Sequence, residues 1–120
     1  MRKLAGIVLF VAVPSALNAM PLSEFLPKAE ALQKKGAMAL FSSDMGLLKN
    51  ELKAAGAQLR DERLAAAKAG RKPAYCPPPK GGLNPNELVT HLQTIPPAQR
   101  GMSFKDAYKS FLVKKYPCPV

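Results

Sequence analysis

The chain has 120 residues, a formal charge of +10 at neutral pH, two cysteines, one histidine and no tryptophan. That length holds one domain with a modest core. Three Cys and His side chains are too few for a structural zinc site, and an aromatic content of 7% argues against a nucleic-acid reader, which sets aromatics among its basic residues.

Met1-Arg2-Lys3 is a short basic start, residues 4–13 are uncharged and mostly apolar, and Pro14 to Ala19 supply a break and a small residue for cleavage. This is the layout of a secretory signal peptide, of bacterial appearance, over residues 1–19. Its apolar run is about half the ~20 helical residues that cross a bilayer. No later run spans one, so no integral membrane segment is expected after signal removal. No Cys stands at the cut to carry a lipid anchor. The expected product is one helical domain, residues 20–120, in a periplasm or outside the cell. Loss of Arg2 and Lys3 leaves it at roughly +8. In that compartment such a charge suits anionic envelope polymers, lipid headgroups or an acidic protein surface, or simply solubility.

The first expected helix is capped by Ser23, with Glu24 set against the dipole and Phe25, Ala29 and Leu32 spaced along one face. Pro27 is placed in its first turn, and Lys34-Lys35-Gly36 ends it. Residues 37–41, Ala-Met-Ala-Leu-Phe, read as a short buried apolar passage. Ser42-Ser43-Asp44 then caps the longest helix, about 45–69, whose apolar stripe is Leu48, Leu52, Ala55 and Leu59. Gly56 interrupts that stripe or admits a close neighbour. Residues 60–72 read as a solvated projection, closed by Gly70 and Pro73.

Cys76-Pro77-Pro78-Pro79 favours a stiff extended segment. Asn84 with Pro85 and Glu87 forms a capping box, and Leu83 and Leu88 a staple, for a helix carrying Val89, Leu92 and Ile95. Ser103 and Asp106 open the last helix, with Phe104, Ala107, Tyr108, Phe111 and Leu112 on its apolar face. Tyr116 to Pro119 bring the end back toward Cys76. No alternating run long enough for a strand occurs. The expected class is all-α, a small four-helix bundle-like domain with one disulfide.

That disulfide is Cys76–Cys118: an even count in an oxidising compartment, without a C-x-x-C spacing, reads as a structural bridge unless it joins two chains. It closes a loop of about 42 residues, worth ~4 kcal/mol in the chain-entropy treatment.

Nothing in the sequence assembles catalytic chemistry, and the chain is read as no enzyme, with no cofactor and no metal. His91 borders the apolar face between Leu88 and Ile95, a place for a structural imidazole. The eight acidic residues are scattered, and Gly81-Gly82 leads into no phosphate-binding motif. Arg60, Arg63, Arg71 and Lys72 gather at the end of the long helix and are the candidate partner-binding residues. Lys105, Lys109, Lys114 and Lys115 lie mostly on the polar side of the last.

An aromatic-Cys-x-Pro unit (Tyr75-Cys76-Pro77-Pro78) precedes Glu87-Leu88-Val89-x-x-Leu92, prolines and Arg100, then Asp106-Ala107, Leu112 and Tyr116-Pro117-Cys118. Over residues 75–118 this resembles the Tai/Rap family of periplasmic immunity proteins, which neutralise peptidoglycan amidases delivered by type VI secretion. Upstream the pattern departs: family members carry further cysteines there, whereas residues 42–69 have none and run long and Ala-rich. The resemblance implies an exported binding protein that inhibits such an amidase by covering its active site. A fainter likeness is to periplasmic acid-stress chaperones. A chaperone or a binder of anionic polymer or lipid surfaces is therefore the alternative, and homodimerisation is left open.

Overall fold

A computed structural model describes residues 20–119; the expected signal peptide, residues 1–19, and residue 120 lie outside them. The helices are α1 (Leu22–Lys35), α2 (Ser43–Lys68), α3 (Pro85–Gln93) and α4 (Phe104–Lys115), with 3-10 segments at Gly36–Phe41 and Pro97–Gln99. Among the described residues the only β pairing is one isolated antiparallel bridge between Pro21 and Ser103. The all-α expectation and the Cys76–Cys118 bridge both hold.

Helix α1 starts two residues earlier than its sequence suggests. Its cap is Pro21, and Ser23 is not a cap but the second helical residue. No side chain is needed there, because a distant loop supplies the acceptors. Leu22 N–H donates to the Met102 carbonyl and Ser23 N–H to that of Arg100, both at 2.8 Å. Tertiary contact has replaced a local cap. The earlier start moves Pro27 into the second turn, where the ring removes the bond that the Ser23 carbonyl would receive. Gly36, at φ 58°, ends the helix as expected.

Helices α1 and α4 are central, since each packs on the other three helices. Leu22, Phe25, Leu26, Ala29 and Leu32 of α1 are buried. Phe25 stacks on Phe104 of α4 with ring centroids 3.8 Å apart. From the flanks come Leu48 and Ala55 of α2 and Leu88, Val89 and Leu92 of α3. Each large side chain fully removed from water contributes roughly 1.5–3 kcal/mol before chain entropy is counted. Arg100 closes the C-terminus of α3, its guanidinium donating to the Ile95 and Gln93 carbonyls at 2.9 and 3.1 Å.

The two capping boxes are half-formed. Asn84 Oδ1 accepts from the Asn86 and Glu87 N–H groups, and Ser103 Oγ from that of Asp106. The Glu87 carboxylate instead turns across to Lys115 of α4. That hydrogen bond holds the Lys115 ammonium above the usual lysine range.

The largest departure is at residues 37–41. Of that passage only Ala39 is buried; Met38, Leu40 and Phe41 are 66%, 73% and 83% exposed. A 3-10 segment has three residues per turn, so its side chains fall into eclipsed rows three apart. In the row of Gly36 and Ala39 only Ala39 reaches the core. The rows carrying Leu40 and the Met38–Phe41 pair face outward.

Candidate functional site

Residues 60–72 are not simply a solvated projection. Helix α2 ends in a Schellman turn at Gly70 (φ 75°): Gly70 N–H donates to the Ala67 carbonyl and Arg71 N–H to that of Ala66. The chain then runs back along α2 and buries Tyr75 to 5% exposure, beside Leu59 at 1%. This return is tied down by the Cys76–Cys118 bridge and by Cys76 N–H donating to the Tyr116 carbonyl at 2.8 Å. Cys118 Sγ lies 3.5 Å from the Pro73 carbonyl oxygen.

Between the end of α2, the return and α4 lies an open cleft of about 410 Å³. Arg63, Arg71, Lys72 and Lys109 line it, with Glu62 and Tyr75. Three of the four candidate basic residues therefore share one cleft. The fourth, Arg60, lines an adjoining one of about 250 Å³, with Arg63 and Tyr75 in the wall between them. Arg63 is half-buried, with its guanidinium carbon 5.8 Å from the Tyr75 ring centroid. Its Nε is shut off from solvent and has no hydrogen-bond partner. In the adjoining cleft, burial first and then Tyr75 and Tyr116 push the Tyr108 hydroxyl above the usual phenol range.

Two members of the site lay outside the four candidates. Lys109 had been grouped with the other lysines of α4, and Tyr75 entered only as part of the Cys-Pro unit. Their place beside Arg63 depends on the chain reversal after Gly70, which no local pattern specifies.

His91 has a partner that sequence could not supply. Its Nε2 lies 3.0 Å from Ser110 Oγ, and its ring packs edge-on to Phe111 at 5.4 Å. The Ser110 hydroxyl donates to the Ala107 carbonyl at 2.6 Å. Its proton is committed there, so Nε2 carries the hydrogen and donates to Oγ. A ring in that tautomer is not positioned to take the serine proton, and nucleophile activation does not follow from the contact. Burial, and then the charge of Lys114, push the imidazole below its ordinary value of 6.5. No group of three or more His, Cys, Asp or Glu side chains among the described residues is placed to hold a metal.

At the other end of α2 the exposed Met38, Leu40 and Phe41 stand beside an apolar hollow of about 420 Å³. Gly36 and Ala39 form its lip, and Phe25, Leu32, Leu48 and Val89 are in its walls. No helix of the described residues is long and apolar enough to cross a membrane.

Comparison with protein-family models, with curated proteins and with solved structures finds no match to this chain.

Proposed function

We propose that the protein is an exported, non-enzymatic binding protein. In this reading it inhibits a secreted peptidoglycan amidase by covering its active site, as the resemblance over residues 75–118 implies. One observation carries the binding role: Met38, Leu40 and Phe41 are exposed on a 3-10 segment beside an apolar hollow. Large apolar side chains held this far into water mark an interaction surface. Burying each in a partner is worth roughly 1.5–3 kcal/mol, so three of them offset much of the cost of association. The wedge protrudes, a shape suited to entering a cleft. The Cys76–Cys118 bridge supports an oxidising compartment.

The test takes the chain from residue 20 to 120 and any peptidoglycan amidase encoded beside its gene. A stoichiometric complex that stops muropeptide cleavage is the expected result. The double change Leu40→Ser, Phe41→Ser should weaken it about 100-fold or more while the melting curve is unchanged. Absence of any complex, or inhibition indifferent to the wedge, sinks the proposal. The second reading, a chaperone or anionic-surface binder, draws on the cluster of cations around Arg63. Weak, salt-sensitive binding without a tight protein partner favours it.

A further inference from the structure

The cleft at the C-terminal end of α2 holds more positive charge than the fold uses. Its acidic wall residue, Glu62, is already paired with Lys105. Among the described residues no carboxylate forms an ion pair with Arg63, Arg71, Lys72 or Lys109. Arg71 and Lys72 follow a helix C-terminus, where cations offset the dipole. Arg63 and Lys109 stand inside helices and have no such explanation. Arg63 is moreover pinned over Tyr75 with one N–H enclosed and unpartnered. With Nε closed off, the Arg63 guanidinium is left to meet a ligand through its terminal nitrogens, held in place by the Tyr75 ring.

We infer that this cleft binds a phosphate group. A carboxylate offers two oxygens in one plane and satisfies one guanidinium. A phosphate offers three terminal oxygens in different directions, which matches cations arriving from α2, the return and α4. The α2 carbonyls that face this end would repel an anion, but those of Ala65, Ala66 and Ala67 already accept from Ala69, Arg71 and Gly70. Leu59, Ala66 and Tyr75 give the organic remainder of a phosphate ester an apolar wall. The site is independent of the wedge. Arg63 lies 20 residues along α2 from Ser43, roughly 30 Å at 1.5 Å per residue. One protein can therefore hold an envelope phosphate and a protein partner together.

The experiment is an amide NMR titration of the oxidised chain from residue 20 to 120, at constant ionic strength. One arm uses inorganic phosphate and the other phosphatidylcholine vesicles containing phosphatidic acid, with sodium chloride as the control. Saturable shifts at Arg63, residues 71, 72, 74 and 75, and Lys109 are expected, at least tenfold weaker in Arg71→Gln, Lys109→Gln, whose altered side chains lie outside the hydrophobic core. Saturation by inorganic phosphate shows that a free phosphate group suffices, saturation by vesicles alone assigns a lipid headgroup, and saturation by neither overturns the proposal. Shifts spread over all the lysines, or unchanged by the double substitution in both arms, overturn the proposal.

Discussion

The backbone nitrogen of Met20 lies 3.3 Å from a carboxylate oxygen of Glu51, a third of the way along α2, and Met20 is only 7% exposed. In a chain that continues upstream this is an amide donating to a carboxylate. In a chain that begins at Met20 the same nitrogen is an ammonium, and the contact becomes an ion pair. A partly exposed pair of this kind contributes up to ~1 kcal/mol. Glu51→Gln should therefore destabilise a chain starting at Met20 by about 0.5 kcal/mol more than one in which Ala19 is retained. Urea unfolding of the four proteins measures this. Equal losses in both backgrounds would show that the new terminus adds nothing.

His91 makes stability depend on pH. Its folded value lies below 6.5, so between that value and 6.5 the unfolded chain holds more proton than the folded one. The His91 contribution is fully present above about pH 6.5 and is lost as pH falls through the window beneath it. His91→Gln, which keeps a donor for Ser110, should flatten this loss. Comparing urea midpoints at about pH 7.5 and pH 5 in the two proteins checks it, and an unchanged difference would refute the assignment.

The helices were legible because their signals are local: Ser42, Asn84 and Ser103 each cap with their own side chains as the spacing predicts. The apolar stripes of α1 and α3 also reappear as buried residues, while on α4 Tyr108 and Leu112 are only half-buried. What was not legible depended on distant chain. Ser23 lost its capping role to carbonyls near residue 101, and Arg63 met Tyr75 only because the chain doubles back. The exposure of Phe41 failed for another reason. Hydrophobicity says that a side chain gains by leaving water, not that this fold has room for it.

Two glycines should respond to alanine in opposite directions. A Cβ at Gly56 would meet Tyr108 Cε2 at 3.8 Å, an ordinary contact, so Gly56→Ala should stabilise by about 0.5–1 kcal/mol through helix propensity. Gly36 sits at φ +58°, ψ −129° in open space, and Gly36→Ala there should cost about 1–3 kcal/mol from backbone strain alone. Thermal melts of the pair decide it. A destabilising Gly56→Ala would mean that the α2–α4 contact is tighter than these positions place it.

The Cys76–Cys118 bridge should decide whether the return segment stays on α2. The two cysteines are 42 residues apart, and such a loop contributes ~4 kcal/mol in the chain-entropy treatment. Without it the return keeps the Cys76-to-Tyr116 backbone bond and the burial of Tyr75, which belongs to no part of the main core cluster. The last turn of α4 would also lose its covalent anchor. Cys118→Ala should lower the melting temperature by roughly 16–32 °C, since about 1 kcal/mol shifts a domain of this size by 4–8 °C. Hydrogen exchange should locate the loosening at residues 71–78 and the end of α4, leaving the amides around Phe25 and Phe104 protected. A drop of under about 5 °C, or exchange rising evenly through the core, would mean that the return is held by packing alone. The cationic wall of the cleft would then not depend on the redox state of the chain.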